Sequence, residues 1–244
     1  MTRRNPFLGM DRPGASTRLF LLPHAGGSAA VFRDWLDAGA GIDVRAVRYS
    51  GRAERLDDPL PESLHDLADD LAAAITSLPH LPFVLLGHSM GALVAFETAR
   101  LLVAQGHPGP EALVVAGCTP PQSTRPPFPH DLSDDALIAL LREEGADVRA
   151  LADHEMRDLV LPAVRADLAA TARYRVAAGP TLACPITVLS GKDDRGLDPF
   201  DLEDWCAHTT GRCDLRGLTG GHHFLDEHRN ALLDELRQHP TTPA

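Results

Sequence analysis

The sequence predicts an α/β fold: a mostly parallel central sheet with helices on both faces and a helical lid insertion. Three observations carry that expectation. Short apolar runs recur along the chain and mostly end in Gly, Pro or Ser. Amphipathic or apolar stretches of helical period lie between several of them. Residues 119–180 break this alternation and offer no convincing strand.

Taken in order, the predicted strands are Leu19–Leu22 (LFLL), Ile42–Tyr49 (IDVRAVRY), Phe83–Leu86 (FVLL), Ala112–Ala116 (ALVVA) and Ile186–Leu189 (ITVL), with Cys213–Leu218 as a weaker sixth. Runs this short and β-branched suit strands buried on both faces. Glu62–Leu78 sets Leu64, Leu67, Leu71 and Ile75 at helical spacing opposite Asp66, Asp69 and Asp70. Met90–Ala104 is apolar on most faces, as expected of a helix packed centrally on a sheet. The segment TPPQSTRPPFPHD opens the insertion with five prolines, and helices are predicted at Asp134–Glu144 and roughly Glu155–Ala177. A crossover needs far fewer than about sixty residues, so 119–180 is expected to be a lid over a site at the sheet edge. The whole chain, 1–244, is expected to form one domain, a size that buries a substantial core.

Composition narrows the function. The formal charge is −11, which disfavours binding along a nucleic-acid backbone. No apolar run of about 18 residues suggests a membrane span, and the start, MTRRNPFLGMDRPG, does not read as a secretory signal. The four cysteines, Cys118, Cys184, Cys206 and Cys213, include no C-x-x-C pair. They are expected to be reduced thiols, mostly core fillers, in a cytoplasmic protein.

The chemistry centres on Gly87-His88-Ser89-Met90-Gly91, a G-x-S-x-G between a predicted strand and a predicted helix. In a turn that sharp, side chains at 87 and 91 would collide with backbone, and the serine is strained outward. A serine hydroxyl needs a base, and the base needs an orienting acid; here the expected chain order is Ser, acid, His. After PITVLSG come Lys192-Asp193-Asp194, with Asp194 the better placed of the two acids. After the last strand comes LTGGHHFLDEH, where His222 is the predicted base and His223 is expected to start the final helix. His88 is expected to pack or hydrogen-bond within the elbow. Two backbone amides should receive the developing oxyanion: that of Met90, and that of Ala25 in LLPHAGGS after the first strand.

These segments together resemble the type II thioesterases, α/β-hydrolases of polyketide and nonribosomal peptide biosynthesis. FLLPHAGGSAAVFRDW is similar to that family's first strand and oxyanion loop, and LLGHSMGALVAFETAR to its elbow. VRYSGRAERLDDPLPESLHDLADDL resembles its G-R-x-x-R segment, and LVLPAVRADLAATARY its L-P-x-x-R-A-D lid signature. CPITVLSGKDD and GGHHFL resemble its acid and histidine segments. Two positions depart from the family's usual pattern: Ser50 replaces a proline, and His223 replaces an aromatic residue.

The resemblance implies a stand-alone enzyme that hydrolyses acyl, aminoacyl or peptidyl thioesters on the phosphopantetheine arms of carrier proteins, for editing or release. It implies an acyl-enzyme on Ser89, with no metal or diffusible cofactor. Acyl or peptidyl carrier proteins are the expected partners, and a monomer the expected state. Carrier contact would use a local basic or apolar patch, for which Arg52, Arg55 and the arginines of the insertion are candidates. The rival readings are a carboxylesterase or lipase-like hydrolase and a non-catalytic acyl-binding protein on the same fold.

Overall fold

The computed structural model describes residues 5–38, 41–123 and 132–238. Seven strands form one sheet in the order β1-β3-β2-β4-β5-β6-β7. They are β1 (Phe7–Leu8), β2 (Thr17–Leu22), β3 (Ile42–Val47), β4 (Phe83–His88), β5 (Ala112–Ala116), β6 (Ile186–Gly191) and β7 (Cys213–Leu218). Every pairing is parallel except β1 with β3. The six predicted strands are all present; β2, β4 and β6 run two residues further than predicted, and β3 ends two residues before the predicted Tyr49. The addition is β1, two residues long and too short to show a period.

The helices are α1 (Arg33–Ala38), α2 (Leu64–Thr76), α3 (Met90–Ala104), α4 (Asp134–Glu143), α5 (His154–Arg173) and α6 (Arg229–Gln238). Local chemistry starts several of them. Ser63 caps α2 by accepting from the amide of Asp66, whose carboxylate accepts from the amide of Ser63 in return. Ser133 and Asp153 cap α4 and α5 in the same sense. Helix α5 stops four residues before the predicted end. Tyr174 there turns extended, and its hydroxyl donates to Glu97 of α3 in the core.

Alternation along the strands splits the core into two layers. Phe20, Leu22, Leu85, Leu113, Val115 and Val188 face α2 and α3. Leu19, Leu21, Val84, Leu86 and Val114 face the opposite way, onto Trp35 of α1 and Leu232, Leu233 and Leu236 of α6. Strand β7 is at the sheet edge and only half-buried, which is why its period reads weakly.

Helices α4 and α5 have a small core of their own, with Leu137, Ile138, Leu151, Leu161 and Val164 buried together. Among the described residues of 119–180 there is no strand, as expected; residues 124–131 of its proline-rich start lie outside the described residues. Among the described residues no helix is long and apolar enough to cross a membrane.

The reading of all four cysteines as reduced thiols is corrected. Cys206 and Cys213 form a disulfide, while Cys118 and Cys184 remain thiols. The pair gave no spacing signal because the fold makes it. A turn of 3₁₀-helix over Asp201–His208 doubles back onto the start of β7, leaving the two Cα atoms 5.4 Å apart.

Candidate functional site

Parallel strands bring their C-terminal ends to one edge, and the predicted site residues follow those ends. Leu22 pairs with Gly87, His88 with Ala116, and Gly191 with Leu218. The loop of Ala25, the elbow of Ser89, the turn of Asp194 and the loop of His222 therefore meet in space.

Ser89 joins β4 to α3 with φ 55° and ψ −119°, a strained conformation for a residue with a side chain. The flanking glycines are sterically required. A Cβ on Gly87 would lie 2.1 Å from the carbonyl oxygen of Gly91, and one on Gly91 would lie 2.3 Å from that of Leu22. The amide of Ser89 donates to the carbonyl of Ala116 at 2.8 Å, tying the elbow to the end of β5.

Asp194 and His222 are hydrogen-bonded, Nδ1 to Oδ2, at 2.7 Å. The carboxylate is almost fully covered, its side chain 4% exposed, and the imidazole is 21% exposed. Burial opposes ionisation of Asp194. The hydrogen bond and charge of His222, the amide of Gly196 and the charge of His223 together hold it below the ordinary carboxylate value. Asp193 is exposed and takes a different part: its amide donates to the carbonyl of Gly220. The two loops meet closely because residue 191 is glycine; a Cβ there would sit 2.3 Å from the carbonyl oxygen of Gly221. Of the adjacent histidines, His222 is thus the one on the acid. Contrary to the expectation from sequence, His223 does not begin the final helix; it leads into a 3₁₀ turn at Phe224–Asp226, ahead of α6.

Ser89, Met90, Ala25, Asp194 and His222 all line one cavity of about 1230 Å³. In the loop after β2, the amide of Gly26 donates to Asp167 and that of Gly27 to the carbonyl of His24. Both are thereby committed, and the amide of Ala25 precedes them. Much of the far wall is apolar and comes from α4, α5 and the turn between them, including Leu140, Leu141, Val148, Leu159, Val160 and Leu168.

Three residues have parts that the sequence reading missed. His88 is buried, and its Nε2–H donates to the backbone carbonyl of His222 at 2.7 Å, reaching across to the histidine loop rather than staying within the elbow. Asp167, at the D of the L-P-x-x-R-A-D segment, is fully buried on α5. It forms a two-pronged ion pair with Arg52, with Nη2–Oδ1 at 2.7 Å, besides accepting from Gly26. Arg52 and Arg55, candidates for a carrier-contacting basic patch, therefore do not supply one. Both are buried: Arg52 against Asp167, Arg55 against Asp58, Asp70 and the carbonyl of Arg48.

Beside His222 stands a second histidine group. Ring centroids are 4.7 Å apart for His24 and His223, and 5.4 Å from His88 to each. Burial, then the charges of His223, His222 and Arg52, hold His24 down to about 3. Burial and the charge of His222 hold His223 down to about 4, against an opposing pull from Asp194. Burial holds His88 well below the ordinary value, with its histidine neighbours adding to it. The three rings are neutral at pH 7. One nitrogen from each lies within 4.8 Å of the others, so these residues could hold a metal ion.

A mostly parallel sheet in this order, with a serine elbow after β4, an acid after β6 and a histidine after β7, defines the α/β-hydrolase class. Within that class the chain belongs to the thioesterase domain family, whose sequence model matches residues 17–239. It is 38% identical over 233 residues to a probable cadicidin biosynthesis thioesterase of Streptomyces griseus, covering 94% of this chain and 64% of that protein. It is 36% identical over 232 residues to the thioesterase PikA5 of Streptomyces venezuelae, covering 93% of this chain and 82% of that protein. Among solved structures, the type II thioesterase BorB from the borrelidin biosynthetic cluster is similar at TM-score 0.83 and 40% identity, covering 93% and 94% of the two chains. The prodiginine-pathway thioesterase RedJ of Streptomyces coelicolor is similar at TM-score 0.84 and 36% identity, covering 92% and 90%.

Proposed function

We propose that the chain hydrolyses acyl, aminoacyl or peptidyl thioesters borne on the phosphopantetheine arms of carrier proteins, serving polyketide or nonribosomal peptide biosynthesis by editing or release. The observation that carries this reading is the Asp194–His222 hydrogen bond sharing one cavity with a strained Ser89. The biosynthetic setting is supported by the relatives named above for such pathways. The cavity's size and apolar wall suit an acyl chain at the end of a long arm.

In the proposed reaction, Nδ1–H of His222 donates to Asp194, which leaves Nε2 free to take the proton of Ser89 Oγ. Oγ attacks the thioester carbonyl carbon, and the amides of Ala25 and Met90 hold the oxyanion. The C–S bond breaks, and the departing sulfur takes the proton back from His222. Water then gives a proton to His222 and attacks the acyl-enzyme, releasing the acid and restoring Oγ–H. General-base action is worth about 10²–10⁴ in rate, and one oxyanion donor about 10²–10³. No metal or diffusible cofactor enters these steps. Helices α4 and α5 act as a lid that opens for the arm.

The test is mass spectrometry of the protein incubated with carrier proteins loaded with different acyl groups. Hydrolysis of a carrier-bound thioester that far exceeds hydrolysis of an aryl ester of the same acid supports the reading. The reverse preference makes the chain an esterase. Loaded carriers left intact, with acyl chains bound but not cleaved, make it an acyl-binding protein.

A further inference from the structure

The reaction proposed above uses one imidazole, yet three more gather beside it. His24 comes from the loop after β2, His88 from the end of β4 and His223 from the loop after β7. No two are close in sequence, so their convergence is a product of strand order. Packing alone would account for three rings meeting edge to face, but two features go beyond packing. One nitrogen of each ring lies within 4.8 Å of the other two, a spread that a small side-chain shift contracts to the separations of a shared ion. The Nε2–H of His88 is spent on the carbonyl of His222, which leaves the Nδ1 lone pair unprotonated. A ligating imidazole is usually held by such a bond on its other nitrogen.

We propose that His24, His88 and His223 bind a divalent transition-metal cation of the zinc type, and that the bound ion suppresses turnover at Ser89. Three imidazoles are a donor set that favours zinc over magnesium or calcium. His24 and His223 line the cavity, so the ion has a path in. Suppression has a plain electrostatic cause. The ring of His222 lies 5.0 Å from that of His88 and 5.3 Å from that of His223, and it must become an imidazolium as Ser89 attacks. A dication on its neighbours opposes that charge in a site where solvent screens little. The suppression half rests on the hydrolytic function proposed above; the binding half does not.

The test is calorimetric titration of the EDTA-treated full chain with zinc chloride, with X-ray absorption reporting the ligands. The expected result is one equivalent bound through imidazole nitrogens. His223→Phe and His24→Gln should each weaken binding at least about tenfold, while His222→Gln binds like the parent. Circular dichroism melts show which variants are folded, and His223→Phe, on a half-buried loop position, serves if His24→Gln is not. Absence of one-equivalent binding, undiminished binding in His223→Phe, or loss confined to His222→Gln overturns the site. In the thioesterase assay, stoichiometric zinc should lower kcat at least about tenfold in the parent, reversibly with EDTA, and spare His223→Phe. Binding without that loss overturns the suppression. A parent without hydrolytic activity before zinc is added overturns the function proposed above and leaves the calorimetric result standing.

Discussion

The Nε2–H of His88 donates to the backbone carbonyl of His222 at 2.7 Å, joining the residue before Ser89 to the residue proposed to activate it. The bond crosses 134 residues of sequence and holds the histidine loop against the elbow. His88→Phe keeps the ring volume but orphans that carbonyl, at a cost of about 1–3 kcal/mol. The expected outcome is a kcat reduced about tenfold with KM little changed, since His88 does not line the cavity. Steady-state kinetics on an acyl-carrier substrate check this; an unaltered kcat shows that the bond does not position His222.

Asp194→Asn keeps the shape of the acid but favours the wrong imidazole tautomer in His222. A loss of about 10⁴ in kcat is expected if the three residues act as proposed. Ser89→Ala should abolish the acyl-enzyme in intact-protein mass spectra. An acylated Ser89→Ala chain would show that another residue is the nucleophile.

Asp167 ties α5 to the loop that carries Ala25, through Arg52 and the amide of Gly26. Asp167→Asn leaves the buried Arg52 charge uncompensated, which costs about 3–5 kcal/mol. A melting temperature lower by about 10 °C follows for a chain of this size. Calorimetry tests the size of the loss. Arg52→Met combined with Asp167→Leu should recover part of it, because both charges are then removed together.

Stability should fall as pH is lowered through the histidine range. Above 6.5, His24 and His223 are neutral folded and unfolded, so neither contributes to the pH dependence. Below 6.5 the unfolded chain takes protons that the folded chain refuses until about 4 for His223 and about 3 for His24. Urea denaturation at stepped pH should show this decline, and His223→Phe should flatten it. Asp194 acts at lower pH: its contribution is present above 3.8 and is lost as pH drops through its lowered folded value.

The Cys206–Cys213 bridge closes a short loop with a sequence separation of 7. Chain entropy assigns such a loop about 2 kcal/mol. Cys213→Ser should lower the urea midpoint accordingly, and reductant should do the same to the parent while leaving the variant unmoved.

Much of this molecule is written in short stretches. The strand over Phe83–His88, the glycines at 87 and 91 and the central helix from Met90 are legible because local sterics and period dictate them. The capping pair Ser63 and Asp66 marks the start of α2 for the same reason. Asp194 and His222 could be sought because each follows a strand whose end had to meet the edge that holds Ser89. Strand β1 escaped notice because two residues carry no period. The burial of Arg52 was not legible, because arginine is rarely buried without a partner and that partner stands 115 residues away.

Local pattern alone settled where the six longer strands lie, where the sharp turn falls and which residue types stand at the sheet's reactive edge. Folding in three dimensions settled which imidazole rests on Asp194, what covers Arg52, where His88 spends its proton, which thiols join and how three further histidines come together. Each of those outcomes depends on strand order and loop approach between residues far apart in the chain, and no local period encodes them.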